Sequence, residues 1–337
     1  VIITLKKEAK PEQIKKLVHR FENMNLKVTV IYGENYNVFG LVGDTSKVDE
    51  KNIMANPIVA NVQRVDEPYK LVNRKFHPED TIVDVNGIKI GGKKLTMIAG
   101  PCSVEGKDQI LRIAKEVKKC GADMLRGGAY KPRTSPYAFQ GLGTQGILDL
   151  CQARKETGLP IVSELMATEH LQEFVENVDI IQIGARNMQN FDLLKAVGKT
   201  KKPILLKRGL ANTINEWIMA AEYIMSEGNP NVIFCERGIR TFETMTRNTL
   251  DLAVIPIIKS KTHLPIIIDP SHAAGNWKLI ESLSLASIAA GADGLIIEVH
   301  DNPECAWSDG DQSLKPEKYA SLIQKGKKIA QVIGREL

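Results

Sequence analysis

The stretch "PILLKRGLANTINEWIMAAEYIMSEGNPNVIFCERG", residues 203–238, decides the fold. It opens on a short apolar run and leaves it through the charged pair Lys207-Arg208. A polar loop follows. Then comes "TINEWIMAAEYIMSEG", whose apolar residues recur at helical spacing up to a glycine suited to a helix C-cap. A second apolar run, "NVIFCERG", ends the stretch on another charged pair, Glu236-Arg237. Strand, helix and strand of this kind place two parallel strands side by side.

Working outward, the same unit repeats in pattern rather than in letters. The other apolar runs are "LTMIAG" (95–100), "DMLRGG" (123–128), "PIVSEL" (160–165), "DIIQIGA" (179–185), "PIIIDPS" (265–271) and "GLIIEVH" (294–300). With the two above they make eight, alternating with helical stretches such as "KDQILRIAKEVKKCG" and "KLIESLSLASIAAGA". Eight βα units in about 250 residues predict an α/β chain with a (β/α)8 barrel. The second choice, a doubly wound sheet, lacks a GxGxxG after its first strand. "TIVDVNGIKIGGKK" reads as a hairpin turning at Asn86-Gly87 and placed to plug the barrel's N-terminal mouth. Residues 1–65 read β-α-β-β-α-β, the ferredoxin-like order, with two strands meeting around "ENYN". So small a piece should lean on the barrel or on another subunit. The expected organisation is a ferredoxin-like domain over 1–65, a linker over 66–78 and the barrel over 79–337.

Composition narrows the class. The chain has 337 residues, 43% hydrophobic and 25% charged, with a net charge of +5. Acids and bases are interspersed, which argues against nucleic acid as a partner. No apolar run reaches the roughly 18 residues of a membrane span. No basic start with an apolar segment marks a targeting sequence. The chain starts at Val1, read as an initiator Met removed or not counted. The expectation is a cytoplasmic protein without a membrane partner. Five cysteines, odd in number and without CxxC, argue against a disulfide framework and a zinc finger.

Polar residues at the C-terminal ends of barrel strands are the ones to examine. One group is cationic: Arg126, Lys131, Arg133, Arg186, Lys207 and Arg237. The loop "RGGAYKPRTSPYAF" carries three of them among glycines and prolines and has no acid, so it is no solvated helix. Cations converging on one mouth repel one another unless anionic ligands sit among them. The plainer alternative is a set of separate surface charges. The second group is Cys102, His272, Glu298 and Asp309. A thiolate, an imidazole and two carboxylates suit a divalent first-row ion. Alternatively they are a buried free cysteine, a capped histidine and two surface acids.

The motifs "AGPCSVEG", "RGGAYKPRTSPYAFQGLG", "QIGARNMQNF", "LLKRG", "CERGIRTFE", "DPSHAAG" and "EVHDNPECAWSDGDQSL" resemble 3-deoxy-D-arabino-heptulosonate-7-phosphate (DAHP) synthase. The similar branch is the short-barrel one related to 3-deoxy-D-manno-octulosonate-8-phosphate synthase. The first 65 residues resemble the regulatory domain of some of its members. The resemblance implies condensation of phosphoenolpyruvate with erythrose 4-phosphate, with release of phosphate, at the entry of the shikimate pathway to aromatic amino acids. It implies phosphoenolpyruvate contacts at Arg126, Lys131, Arg186, Lys207 and Arg237. Erythrose 4-phosphate falls to Lys131, Pro132, Arg133 and Thr134. One divalent transition-metal ion (Mn, Fe, Co, Zn or Cu) falls to Cys102, His272, Glu298 and Asp309. Catalytic roles are expected for Lys131, Cys102 and His272, with Lys131 as the proton donor. Glu236 and His300 are expected to help position a water molecule. A homotetramer and inhibition by Phe or Tyr through the first domain complete the expectation. The alternatives are the octulosonate enzyme, which uses arabinose 5-phosphate, and an amino-acid sensor on an inactive barrel. One departure is "GNWK" (275–278), where members of the branch often carry basic residues.

Overall fold

The structure is a computed structural model that describes residues 1–32, 37–45, 48–64 and 67–337. The expected "ENYN" connection falls outside these residues, apart from Asn37. The chain divides into two compact units. One is Val1–Asp80 with Ser260–His263, and the other is Thr81–Lys259 with Leu264–Leu337.

The first unit holds β1 (Ile2–Leu5), α1 (Pro11–Glu22), β2 (Lys27–Tyr32), β3 (Asn37–Val42), α2 (Glu50–Met54) and β4 (Val59–Gln63). Its antiparallel sheet has the order β2-β3-β1-β4, as the ferredoxin-like reading requires. Alternation sets the two faces. Ile3 and Leu5 meet Leu17 and Phe21 of α1 in the core, while Ile2 turns to the opposite face and meets Val38 and Phe76. Phe76 comes from the expected linker, and a Cβ on Gly40 would lie 2.6 Å from its ring. Tyr69 and Val72 are buried as well. Within the expected linker, the described residues 67–78 are therefore no solvated connector. Their three large apolar side chains leave water, and the compact unit runs on to Asp80.

In the second unit β5 (Val83–Val85) and β6 (Ile88–Ile90) form the hairpin. Asn86 and Gly87 both have positive φ, 52° and 88°, the pair a type I′ turn needs. The barrel strands are β7 (Thr96–Gly100), β8 (Met124–Arg126), β9 (Ile161–Glu164), β10 (Ile180–Ile183), β11 (Ile204–Lys207), β12 (Val232–Glu236), β13 (Ile266–Ile268) and β14 (Gly294–Glu298). They pair in parallel and in sequence, and β14 closes on β7. The helices are α3 (Lys107–Lys119), α4 (Thr144–Thr157), α5 (Leu171–Asn177), α6 (Phe191–Gly198), α7 (Ile214–Ser226), α8 (Val254–Lys261), α9 (Pro270–Ala274), α10 (Trp277–Ala289) and α11 (Pro316–Val332).

Strands buried on both faces are apolar along their length, which is why each run stood out in the sequence. Val83, Val85 and Ile90 of the hairpin pack on Met124, Val162, Ile180, Leu205 and Ile233. These lie at the first or second position of their strands, so the hairpin closes the N-terminal mouth. The opposite mouth is left for chemistry. No helix among the described residues is long and apolar enough to cross a membrane.

Candidate active site

A cavity of about 400 Å³ opens at the C-terminal ends of the strands. Among the described residues seven cations line it: Lys131, Arg133, Arg186, Lys207, Arg237, Arg240 and Arg247. Only two carboxylates do, Glu164 and Asp309. The loop after β8 contributes Lys131, Pro132, Arg133 and Thr134 to one wall, as expected.

The cations differ in how they are neutralised. Lys207 is ion-paired with Asp269. Arg186 and Arg133 make no ion pair among the described residues, nor does Arg237, which is only 4% exposed. Burial, opposed by Asp269, lowers the Arg237 pKa. A guanidinium taken out of water without a carboxylate partner costs several kcal/mol, roughly, and an anion from solution would offset that cost.

Beside the cavity lie the side chains expected to bind metal. Donor atoms of Cys102, Glu298 and Asp309 all lie within 4.8 Å of one another. Cys102 follows β7, Glu298 ends β14, and Asp309 sits at φ 51° in the loop beyond it. His272 rides on α9, with Nε2 3.5 Å from Glu298 Oε1. Its Nδ1 lies 2.7 Å from Asp269 Oδ2. A carboxylate on one ring nitrogen leaves the other turned to the cluster, the usual orientation of a metal-bound histidine. Burial lowers the His272 pKa, against the neighbouring Asp269, which favours the neutral ring a metal requires. Burial, then Glu298, pushes the Cys102 thiol up to about 12 against the opposing Lys131. The thiol donates to Asp309 Oδ2 at 3.1 Å. A thiol, an imidazole and two carboxylates, gathered from three strand ends and one loop, fit a divalent transition-metal ion.

Lys131 joins the two regions. Its ammonium donates to the carbonyl oxygen and to Sγ of Cys102, both at 2.9 Å. Gly128 makes this approach possible, because a Cβ there would lie 3.0 Å from Lys131 Cδ and 2.8 Å from Cys102 O.

Arg126 is placed differently from the other expected phosphoenolpyruvate cations. It does not line the cavity but lies beneath it, donating to Glu298 Oε1 at 2.6 Å and to Cys102 O at 3.3 Å. The expectation that Glu236 and His300 hold a water does not fit their placement. Neither lines the cavity. Glu236 is fully buried against Arg208 at 3.0 Å and the Gly238 amide at 2.6 Å. His300 lies 3.3 Å from both Gln109 and Glu105. Both are spent on internal partners. Among the described residues the cavity-wall acid outside the expected metal set is Glu164, whose Oε2 accepts from Gln182 at 3.2 Å.

Arg240, Arg247 and Asn248 also line the cavity and were not anticipated. They lie up to a dozen residues past the end of β12, where reading strand ends gives no signal. At the "GNWK" departure Gly275 caps α9 at φ 68° and Asn276 caps α10.

Comparison with known proteins fits this geometry. Residues 74–334 match the DAHP synthetase I family, and residues 1–67 match the DAHP synthase ferredoxin-like domain. The phospho-2-dehydro-3-deoxyheptonate aldolase of Thermotoga maritima is 49% identical over 334 residues, 99% of each chain. Its crystal structure superposes with a TM-score of 0.80 at 49% identity, covering 99% of this chain and 98% of that one. The 2-dehydro-3-deoxyphosphooctonate aldolase of Citrifermentans bemidjiense is 32% identical over 276 residues, 75% of this chain and 98% of its own. Matched along the barrel and along the domain that precedes it, this chain belongs to the DAHP synthetase I family.

Proposed function

We propose that this chain condenses phosphoenolpyruvate with erythrose 4-phosphate to give 3-deoxy-D-arabino-heptulosonate 7-phosphate and phosphate, using a divalent transition-metal ion. The observation that carries the reading is Arg237, a buried cation on the cavity wall without a carboxylate partner among the described residues. The comparisons favour this aldose over arabinose 5-phosphate. Identity is higher and coverage fuller with the heptonate enzyme than with the octonate one, and the ferredoxin-like domain is that of DAHP synthases. A sensor on an inactive barrel would have shed ligands or cations, and here both sets face one cavity or its floor.

Arg186, Lys207 and Arg237 are suited to the phosphate and carboxylate of phosphoenolpyruvate. Arg133 and Thr134 are suited to the far phosphate of the aldose. Holding two anions that would otherwise repel each other, and aligning their reacting carbons, supplies much of the rate. Arg126 holds the Glu298 carboxylate in place from below. When bound, the ion at Cys102, His272, Glu298 and Asp309 supplies Lewis-acid polarisation of the aldehyde oxygen. C3 of phosphoenolpyruvate forms the new bond to the aldehyde carbon, and Lys131 delivers a proton to the oxygen that becomes the hydroxyl. Water adds at C2, and phosphate leaves. Glu164, an acid facing a cationic cavity, is placed to orient that water.

The partition of the cations is testable. Arg133→Ala should raise KM for erythrose 4-phosphate at least about tenfold, the loss of roughly 1.4 kcal/mol or more of a charge-assisted contact. KM for phosphoenolpyruvate should move little. Arg186→Ala should do the reverse. Equal effects of both changes on both constants would show the partition to be wrong. The assay that tests the whole reading follows loss of phosphoenolpyruvate with each aldose, with and without chelator.

Among the described residues the cavity is lined by the second unit, and regulation is the role proposed for residues 1–65. Deleting them should leave turnover within about threefold while Phe and Tyr lose their inhibition, since an effector acts only through the states it distinguishes. Inhibition of the shortened chain as strong as that of the full one would make the domain structural only.

A further inference from the structure

We infer that Gln312 and Arg247 are positioning residues which hold the Glu298 and Asp309 carboxylates ready for the divalent ion. The inference rests on the metal reading above. Gln312 is 2% exposed. Its Nε2 donates to Glu298 Oε2 at 2.7 Å, and its Oε1 accepts from an Arg247 guanidinium nitrogen at 2.7 Å. The two neighbours fix the amide's orientation, because the carboxylate needs a donor and the guanidinium needs an acceptor. Glu298 is then held at both oxygens, Oε1 by Arg126 and Oε2 by Gln312. The same Arg247 nitrogen lies 3.4 Å from Asp309 Oδ1.

Arg247 is itself anchored. Its amide donates to Ala274 O at 3.1 Å, and that of Asn248 donates to Ala273 O at 2.9 Å. The Asn248 side chain donates to His272 O at 2.9 Å. This segment therefore runs along α9, the element that carries His272. Two glycines make room for it. A Cβ on Gly275 would lie 2.5 Å from Arg247 Cβ, and one on Gly238 would lie 2.7 Å from Asn248 Cβ. Both glycines also have positive φ, so a side chain at either would be strained as well as crowded.

A positioning role and a charge role predict opposite signs. Arg247 is a cation beside a cation site, so charge alone would make its removal tighten metal binding. Positioning predicts weaker binding, because unsupported carboxylates must be ordered when the ion arrives. Partners of this kind are typically worth about 10- to 100-fold in metal affinity.

The test is calorimetric titration of the metal-free full-length chain with Mn²⁺, without substrate. Gln312→Leu and Arg247→Met should each weaken Mn²⁺ at least about tenfold. The double variant should be no more than about threefold weaker than the poorer single one, because the two act in one connected chain. Melting of the metal-free variants checks the fold. If Gln312→Leu does not fold, Arg247→Met carries the test alone, since that side chain is 37% exposed. Variants that bind Mn²⁺ as tightly as the parent, or more tightly, overturn the inference and leave the metal reading standing. A parent that binds no Mn²⁺ overturns both. An arginine that served only the substrate would raise KM and leave Mn²⁺ affinity unchanged, which also counts against the inference.

Discussion

Cys102→Ala is expected to abolish tight binding of divalent transition metal and to lower turnover at least about a thousandfold, the equivalent of about 4 kcal/mol of transition-state stabilisation. The thiol is the soft member of a set whose other donors are an imidazole and two carboxylates, and its loss leaves a site that discriminates poorly among ions. Sγ belongs to the cluster within 4.8 Å of the Glu298 and Asp309 oxygens, and no other cysteine approaches it among the described residues. Cys235, also buried, belongs to the apolar core of the barrel, paired with Lys207 of β11 and Ile267 of β13. The fold should survive, since one small buried group is removed at a cost of about 1 kcal/mol. Cys102→Ser should keep a weak oxygen donor and fall between Ala and the parent. The checks are metal content after dialysis, turnover with added Mn²⁺, and the melting temperature. An Ala variant that retains metal and full turnover would remove Cys102 from the ligand set and the ion from the mechanism.

How far the sequence carries the reader differs between barrel and site. The eight strands announce themselves because a parallel strand covered on both faces has no solvent side, so its apolar run is unbroken. The hairpin turn at Asn86-Gly87 is local chemistry, and it too is readable. The segment holding Tyr69, Val72 and Phe76 is not, because its burial is tertiary and its neighbours are charged. In the site, reading strand ends finds residues but not the direction of their side chains. Lys207 and Arg237 reach the cavity, while Glu236, next to Arg237, is turned to buried Arg208. Arg126 ends its strand as expected, yet it supports Glu298 from beneath. Arg247 and Gln312 escape such reading altogether. Arg247 sits in a loop laid along α9, Gln312 follows Asp309 by three residues, and only the folded chain brings the two together at the ligands.

Lys131→Met is expected to lower kcat by about 10²- to 10⁴-fold, the usual range for a positioned general acid. The side chain is buried, it lines the cavity, and its ammonium lies 2.9 Å from Cys102 Sγ. It therefore stands next to the oxygen that gains negative charge if that oxygen meets the ion. The next residues in the chain, Pro132 and Arg133, form the wall assigned to the aldose. Methionine keeps the length and removes the proton and the charge. Arginine is no substitute, because its guanidinium holds its proton too tightly and is too broad for the space beside Gly128. Metal content should be unchanged, which separates this loss from that of Cys102→Ala. KM for either substrate should change less than kcat, because the proton is needed in the transition state rather than in binding. Lys131→Ala offers a further check, since small primary amines added to it should restore part of the turnover, each in proportion to its strength as an acid. If Lys131→Met instead keeps kcat within about threefold and raises only KM for phosphoenolpyruvate, Lys131 is one more anion-binding cation. The proton must then come from another group.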